Sequence, residues 1–303
     1  MIGAGAMGSI FGARLEQGGH ETVLVDVVEP LVRKLNEDGV TVVRGEEETT
    51  TRVRATTDPG SVGVADFVIF FTKCYHTASA AESARPLVGG ETVVASLQNG
   101  WGNGDVLAGI FPPAQIAIGV TYNSGLLLEP GRVIHPAEQP TIVGSFDEGV
   151  TAVAERLAEA LRAAGFETTV ADPVRSEIWK KLVLNAATLP ASALAGAHAG
   201  LLATNEDLRA LVTETAYEAV AIARALGYDI DPQERVDTIH ALLEKAGSAK
   251  GSMVQDFEAG RRTEIDVING AVVEAADRTG VPAPLNRTLL RLVKGWEAAR
   301  GLS

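Results

Sequence analysis

Short apolar runs alternate with amphipathic stretches through the first half of the chain, a pattern that predicts β-strands alternating with α-helices. Residues 65–71 and 91–97 are mainly apolar, as strands covered on both faces of a parallel sheet are. Residues 40–43 and 51–54 resemble the arms of a short hairpin whose turn lies at 45–48. Further strands are predicted at 21–25, 116–120, 131–135, 141–144 and 167–170, and helices at 10–15 and 151–164.

After Asp172-Pro173 the period changes, and apolar residues recur at spacings of three and four, which is typical of helices. Proline is well tolerated at the first helical position, so this dipeptide is a plausible start for a helical region. Glycines at 227, 247 and 280 punctuate that region. Helices are predicted at 176–190, 206–226, 233–246 and 263–279. We therefore expect two domains, one over residues 1–170 and one over residues 171–303.

A glycine-rich loop opens the chain and runs into the first predicted helix. Such a loop also closes ordinary tight turns, but here an apolar strand ending in Asp26 follows at the spacing of a β-α-β dinucleotide-binding unit. Its backbone N–H groups and the helix N-terminus suit a pyrophosphate. The expected fold is an α/β Rossmann-type N-terminal domain with a parallel-rich sheet, followed by an all-α C-terminal domain. The loop residues are Gly3, Ala4, Gly5, Ala6, Met7 and Gly8.

Only Met1 and Ile2 precede this loop, although a central parallel strand normally runs for about five residues. Because the strand holds the loop in place, we expect further residues upstream of Met1.

Composition narrows the function classes. The net charge is −13, and the sequence contains no basic stripe and no arginine-rich helix. We therefore expect that the protein does not bind nucleic acid. The single cysteine, Cys74, excludes an internal disulfide and fits a reducing cytoplasm. No apolar run approaches the length of a membrane span, and we expect no membrane association. The five histidines are scattered without ligand spacing, so no metal site is expected.

Two polar segments follow predicted buried strands, where ligands bind in open parallel sheets. Lys73 comes after the strand at 65–71 and is placed to reach a bound nucleotide, unless it is a solvated loop lysine. Asn99 comes after the strand at 91–97 and can both donate and accept hydrogen bonds. The alternative for Asn99 is a plain Asn-Gly turn with Gly100.

Two further segments lie in the helical half. Lys181 and Asn185 are four residues apart and share a helical face. The pKa of a lysine at a buried edge can fall far enough for it to donate a proton near neutral pH. The alternative is a surface lysine whose ammonium reaches solvent, and Lys180 fits that role better. The other segment contains Ser252 and Glu264, with Glu264 at a predicted helix start. The alternative to a functional role for Ser252 is that of an N-cap. The nearby Asp266 can be explained by its interaction with the helix dipole alone.

In this combination and order, the segments resemble the ketopantoate reductase (2-dehydropantoate 2-reductase) family, over essentially the whole chain. The resemblance implies reduction of a 2-keto acid by NAD(P)H, as in pantothenate biosynthesis, with Lys181 as the general acid. It implies that Asn185 and Ser252 hold the substrate and that Glu264 supports the site near Lys181. It further implies that Lys73 and Asn99 contact the nicotinamide half of the cofactor, with Gly125 near the same face.

Two positions depart from the family pattern toward a more apolar substrate. Where many members carry a second asparagine one turn beyond Asn185, this chain has Leu189, followed by Pro190. Where some members carry an asparagine just before Gly200, this chain has Ala199. Fewer polar contacts suggest a smaller or more apolar substrate group than that of ketopantoate.

A third departure concerns the cofactor. Members that use NADPH typically carry an arginine just after the second strand, whereas this chain has Asp26 followed by two valines. An aspartate there suits the ribose hydroxyls of NAD and repels a 2′-phosphate, although Arg33 and Lys34 lie farther on. We therefore favour NAD(H) over NADP(H).

Three functions remain open from the sequence: a ketopantoate reductase, a dehydrogenase of the same family acting on another 2-keto or hydroxy acid, and a nucleotide-binding module without chemistry. Joint presence of Lys181, Asn185, Ser252 and Glu264 argues against the last. Apolar positions at Leu208, Leu211 and Val212 fit a homodimer and fit equally well a monomer that buries them.

Overall fold

The computed structural model describes residues 1–149 and 151–302 of the chain. Its contacts divide the chain into two compact units, each formed from two segments. The first consists of Met1–Gln98 and Asn103–Glu177, and the second of Asn99–Gly102 and Ile178–Ser303. The boundary at residue 170 between a cofactor domain and a substrate domain stays a prediction.

The first unit is built from strands and helices in alternation. Its strands are β1 Val23–Val25, β2 Val40–Arg44, β3 Glu47–Thr51, β4 Arg54–Thr56, β5 Phe67–Phe70, β6 Val93–Ser96, β7 Ile116–Thr121, β8 Leu126–Glu129, β9 Arg132–Ile134, β10 Thr141–Ser145 and β11 Thr168–Val170. Its helices are α1 Ala6–Gln17, α2 Glu29–Asp38, α3 Thr77–Ser83, α4 Asn103–Ala108 and α5 Ala152–Ala163.

The strands form a parallel-rich sheet and a smaller mixed one. β5, β6 and β7 pair in parallel, β10 pairs antiparallel with β7, and β11 pairs in parallel with β10. β1 pairs in parallel with β4, and Ile2 joins β1 to β5 through parallel bridges to Val25 and Phe70. The second sheet has the order β3-β2-β9-β8. The expected α/β class is confirmed, and the expectation of residues upstream of Met1 stays a prediction.

The hairpin differs from the sequence expectation in its second arm. β2 pairs with β3 over Glu47–Thr51, so the turn is only Gly45-Glu46, with Gly45 at a φ of 61°. Residues 54–56 instead pair with β1 in the main sheet. The predicted arm at 51–54 was wrong, because residues up to 51 pair in one sheet and residues from 54 pair in the other. Local sequence pattern does not distinguish these two pairings.

The regular elements of the second unit are all helices over its described residues. Its elements are α6 Arg175–Ala195, whose residues from Ile178 onward belong to this unit, α7 Ala199–Thr204, α8 Glu206–Ala225, α9 Pro232–Ala246, α10 Ser252–Glu258, α11 Asn269–Thr279 and α12 Pro284–Ala298. Trp179, Val212, Ile239, Val272 and Val293 are wholly buried in one core. Leu208 and Leu211 pack against that core, and a homodimer stays a prediction. Over the described ranges, no helix is long and apolar enough to cross a membrane.

The predicted helix at 263–279 begins later than expected. Residues Ile265–Val267 form a single 3₁₀ turn, and α11 starts at Asn269. The break follows from two features: Ile268 has a non-helical φ of −103° and ψ of −94°, and the Thr263 N–H and hydroxyl both donate to Glu297. Glu264 therefore precedes a 3₁₀ turn rather than an α-helix.

Candidate active site

The glycine-rich loop makes backbone approaches that side chains would block. Gly3 has a φ of 94°, and a Cβ built on it would lie 2.9 Å from the backbone N of Thr72. A Cβ built on Gly8 would lie 1.9 Å from the carbonyl oxygen of Gly3. A Cβ on Gly5 would meet nothing within 4 Å. The loop is therefore tight against itself and against the residues that follow β5, and it is open on the side of Gly5.

The first turn of α1 has the features of an anion site. Gly5 is its N-cap, so no side chain caps the helix, and no acidic residue lies in its first turn. The free N–H groups and the helix dipole both favour a negatively charged group. Together with the open side at Gly5, these features fit the pyrophosphate of a dinucleotide.

Asp26 connects β1 to this loop. Its Oδ2 accepts a hydrogen bond of 2.8 Å from the N–H of Ala4, and its Oδ1 accepts one of 3.1 Å from the N–H of Val28. The carboxylate therefore holds the loop while remaining half-buried. Beside it, Val27 is 92% exposed, so the next side chain along the chain faces solvent.

The two bases that follow Asp26 are engaged on their own helix. Arg33 lies 3.9 Å from Glu29, and Lys34 donates to Asp38 over 3.1 Å. Both pairs join residues four apart on α2. Each positive charge is thus offset by a neighbouring carboxylate.

Lys73 follows β5 on a segment that a buried glutamine holds in place. The Nε2 of Gln98 donates to the Thr72 carbonyl over 2.7 Å and to the Thr77 hydroxyl over 2.9 Å. Its Oε1 accepts from Ser96 over 2.9 Å. The sequence pattern assigns a role to Asn99 and none to the neighbouring Gln98, although Gln98 also follows an apolar strand.

Gly125 lies against the start of α1. A Cβ built on it would lie 2.6 Å from Cδ1 of Ile10, 3.2 Å from Cβ of Ala6 and 3.4 Å from Sδ of Met7. The residue therefore lies beside the helix turn that follows the loop, and a side chain there would displace that turn.

In the second unit, Lys181 and Asn99 meet although they are far apart in sequence. The Nζ of Lys181 donates to Oδ1 of Asn99 over 2.8 Å. Asn99 stands at the start of the short segment Asn99–Gly102, which is packed with the helices. The Trp101 N–H donates to the Val267 carbonyl over 2.9 Å, and Gly100, with a φ of 85°, lies so close that a Cβ would be 2.4 Å from Cγ2 of Val267. These contacts fix Asn99 opposite Lys181.

The environment of Lys181 weakens its hold on its proton. Loss of water around the half-buried ammonium lowers the pKa of Lys181 to about 8, while the carboxylate of Glu264 acts in the opposite direction. Glu264 is itself 8% exposed. A lysine in this state is largely protonated at neutral pH and gives up its proton more readily than a surface lysine.

Two polar side chains of the second unit make no protein hydrogen bonds among the described residues. Asn185 is only 7% exposed and lies one turn along α6 from Lys181. Ser252 is the first residue of α10, so Gly251 rather than Ser252 is the N-cap. Both side chains thus keep their hydrogen-bonding capacity for another molecule.

Leu189 continues the helix face that carries Lys181 and Asn185. A Cβ built on Gly251 would lie 2.8 Å from Cδ2 of Leu189, so the leucine side chain reaches the residue before Ser252. The N–H of Ala199 donates to the Ala249 carbonyl over 3.0 Å, which joins the start of α7 to the segment before α10. Leu189 therefore gives the region of Asn185 and Ser252 an apolar wall.

Asp266 lies at the surface, and its role for the helix dipole stays a prediction. Its carboxylate is exposed and accepts from Arg262 over 3.2 Å and from Lys294 over 3.1 Å. Asp266 is thus a member of a surface ion-pair cluster.

Over residues 1–149 and 151–302, no group of three His, Cys, Asp or Glu side chains is arranged to hold a metal ion.

Family models match both parts of the chain. The model described as ketopantoate reductase PanE/ApbA matches residues 1–148, and the one described as its C-terminal part matches residues 173–297. A 2-dehydropantoate 2-reductase of Pyrococcus abyssi is 33% identical over 303 residues, covering 99% of this chain and 98% of that protein.

Two solved structures are similar over almost their whole length. A ternary structure of D-mandelate dehydrogenase with NADH and anilino(oxo)acetate has a TM-score of 0.95 and 26% identity, covering 100% of this chain and 99% of the other. A 2-dehydropantoate 2-reductase from Geobacter metallireducens has a TM-score of 0.91 and 29% identity, covering 97% and 98%.

Proposed function

The chain belongs to the ketopantoate reductase family, and we propose that it reduces a 2-keto acid to the 2-hydroxy acid with Lys181 as the general acid. It is an oxidoreductase of the NAD(P)-dependent class that acts on CH–OH groups. The observation that carries the proposal is the pairing of Lys181 with Asn99 over 2.8 Å, next to a buried Glu264.

The proton chemistry follows from the state of Lys181. When the cofactor is bound, its nicotinamide supplies the hydride that becomes the new C–H bond. Negative charge develops on the carbonyl oxygen, and the Lys181 ammonium donates one proton to it and becomes a neutral amine. In the reverse direction the neutral amine accepts the hydroxyl proton. A pKa of about 8 lets Lys181 serve both directions near neutral pH.

Asn185, Ser252 and Glu264 complete the proposed substrate site. The unpartnered amide of Asn185 and hydroxyl of Ser252 have donors to offer a carboxylate and a hydroxyl group of the substrate. Glu264 raises the proton affinity of Lys181 and so keeps it from losing its charge altogether. Asn99 holds the Lys181 ammonium in one orientation.

The first unit fits a dinucleotide at the loop Gly3–Gly8 and the start of α1. We propose that Asp26 meets the ribose, and that Lys73, Asn99 and Gly125 contact the nicotinamide half. We further propose NADH as the preferred cofactor, because Asp26 is an acid, Val27 is exposed, and Arg33 and Lys34 are paired with acids of α2.

A second candidate substrate class is an apolar or aryl 2-keto acid other than ketopantoate. Leu189 against Gly251 favours it, because Leu189 itself offers the branched hydroxyalkyl group of ketopantoate an apolar wall where an asparagine would offer a polar partner. The similarity to a D-mandelate dehydrogenase supports the same direction. We also propose that the protein is cytoplasmic and forms a homodimer.

Steady-state assays test these substrate and cofactor proposals. Purified protein is given NADH or NADPH with ketopantoate and with branched and aryl 2-keto acids. Turnover of ketopantoate favours a role in pantothenate biosynthesis, and faster turnover of an apolar keto acid favours the second class. Absence of turnover across the panel with both cofactors would contradict the proposal.

A further inference from the structure

Helix α6 carries a proline in its interior. Pro190 has no N–H, so the carbonyl of Ala186, four residues earlier, loses its helical hydrogen bond. Ala186 is wholly buried, so water does not reach that carbonyl. A buried carbonyl without a donor is costly, and another group has to supply one.

Asn269 supplies that donor. Its Nδ2 lies 3.0 Å from the Ala186 carbonyl oxygen and 3.1 Å from Oδ1 of Asn286. Asn286 is held in turn, because its own Nδ2 donates to the Thr215 carbonyl and to Glu218. Asn269 and Asn286 are both wholly buried. The Ala186 carbonyl is thereby tied to α8, α11 and α12.

The orientation of the Asn269 amide is fixed by its two acceptors. Its Oδ1 is buried and accepts no hydrogen bond among the described residues, so the amide gives up an acceptor site in order to use both N–H groups. An aspartate would set a carboxylate against two oxygen acceptors, and a leucine would provide no donor at all.

Ala186 directly follows Asn185, and Leu189 lies on the same helical turn. We propose that Asn269 is a positioning residue of the substrate site: it replaces the backbone hydrogen bond that Pro190 removes, and so fixes the turn of α6 that presents Asn185 and Leu189. The catalytic part of this inference rests on the proposed function of Asn185.

The test is a double-mutant comparison. Asn269→Leu leaves the Ala186 carbonyl without a donor, and we expect the KM for the best 2-keto acid to rise about tenfold or more, because Asn185 is no longer held, with a smaller change in kcat. Pro190→Ala returns an N–H to α6 at the position that faces Ala186. We therefore expect Asn269→Leu with Pro190→Ala to recover most of the KM, and Pro190→Ala alone to stay near wild type.

A stability control separates positioning from general weakening. Ile239→Ala removes buried side-chain volume from the core of the same unit. The KM values of Ile239→Ala and Asn269→Leu are compared together with their urea midpoints, so that equal losses of stability can be recognised. Wild-type KM in Asn269→Leu, the same KM change in Ile239→Ala, or no recovery in the double variant would overturn the inference. If Asn269→Leu does not fold, Asn269→Ala with and without Pro190→Ala gives the same comparison.

Hydrogen exchange tests the structural step without any turnover. The backbone amides of residues 186–189, 191 and 192 are expected to exchange faster in Asn269→Leu than in wild type and to be protected again in the double variant. Unchanged exchange in the single variant would contradict the proposed contact. If wild type turns over no keto acid but the exchange result holds, the proposed function fails and the tie between Asn269 and α6 stands.

Discussion

The ammonium of Lys181 is hydrogen-bonded to the neutral amide oxygen of Asn99, 2.8 Å away. A neutral partner orients the lysine without the strong stabilisation of its charge that a contacting carboxylate would give. This explains how burial lowers the pKa of Lys181 to about 8 although Glu264 acts against it. The pair therefore combines a fixed direction with an exchangeable proton.

Asn99→Asp is expected to remove that combination. A carboxylate at the same place would raise the pKa of Lys181, because it stabilises the charged form. The alkaline limb of the reduction profile should move up by about one pH unit or more, and kcat should fall about tenfold. Profiles of kcat against pH for the wild type and for Asn99→Asp measure both effects. An unchanged limb would mean that Asn99 does not control the proton.

The direction of catalysis is expected to depend on pH through Lys181. Below pH about 8 the ammonium form of Lys181 predominates, so the rate of reduction is expected to be high. Above that pH the amine form predominates, so the rate of oxidation of the hydroxy acid is expected to rise. Glu264→Gln removes the carboxylate that raises the pKa, so both limbs should shift to lower pH. Opposite shifts in the two directions, or a shift to higher pH, would contradict this account.

Leu189→Asn is expected to change the substrate preference. An amide in place of the isobutyl group gives hydroxylated substrates a hydrogen-bond partner and leaves apolar ones facing a polar group. The ratio of kcat/KM for ketopantoate to that for an apolar 2-keto acid should rise about tenfold or more. Leu201→Asn, an exposed leucine of α7, is the matched control and should leave the ratio unchanged.

Val27→Arg is expected to improve the use of NADPH. Val27 is 92% exposed beside Asp26, so an arginine there has room to meet a 2′-phosphate. We expect kcat/KM for NADPH to rise about tenfold while that for NADH changes little. Val64→Arg, which adds the same charge at another exposed position, controls for net charge. Equal gains in both variants would point to the overall charge instead.

Acid is expected to destabilise the first unit through His135. This wholly buried ring lies 2.6 Å from Nη2 of Arg44 and 2.9 Å from Oδ1 of Asn123. Burial, followed by the Arg44 charge, lowers its pKa from 6.5 to about 4.

The unfolded chain therefore takes up the proton first, so stability should be complete above pH about 6.5 and decline as pH falls toward 4. Urea midpoints at pH 7 and pH 5 measure this difference, which should shrink in His135→Gln and persist in the control His76→Gln, an exposed ring. An equal decline in His135→Gln would assign the effect to other groups.

Local pattern was enough to predict most elements. Buried strands such as β5 and β6 and the long helices α6, α8 and α9 were identified because their apolar periods extend over several residues. The late start of α11 was missed, since the interruption depends on Glu297, a residue more than 30 positions away that binds Thr263. The arm of the hairpin was misplaced for the same kind of reason, because strand pairing is a tertiary choice.

The site was only partly accessible from the sequence. The one-turn spacing of Lys181 and Asn185 was visible, but the approach of Asn99 was not, because it depends on the packing of residues 99–102 against Val267. A proline inside a helix leaves the carbonyl four residues earlier without its helical donor, yet no local pattern identifies Asn269 as the donor to Ala186. Such contacts join distant segments and leave no periodic signal.

The general-acid role of Lys181 is the central claim, and Lys181→Ala tests it most directly against Lys180→Ala. Reduction of the best 2-keto acid is followed under saturating NADH in a single turnover, with NADH binding measured separately by fluorescence. We expect Lys181→Ala to bind NADH normally and to lose about 100-fold or more of the hydride-transfer rate, with Lys180→Ala close to wild type. A Lys181→Ala rate within a few-fold of wild type would contradict the account.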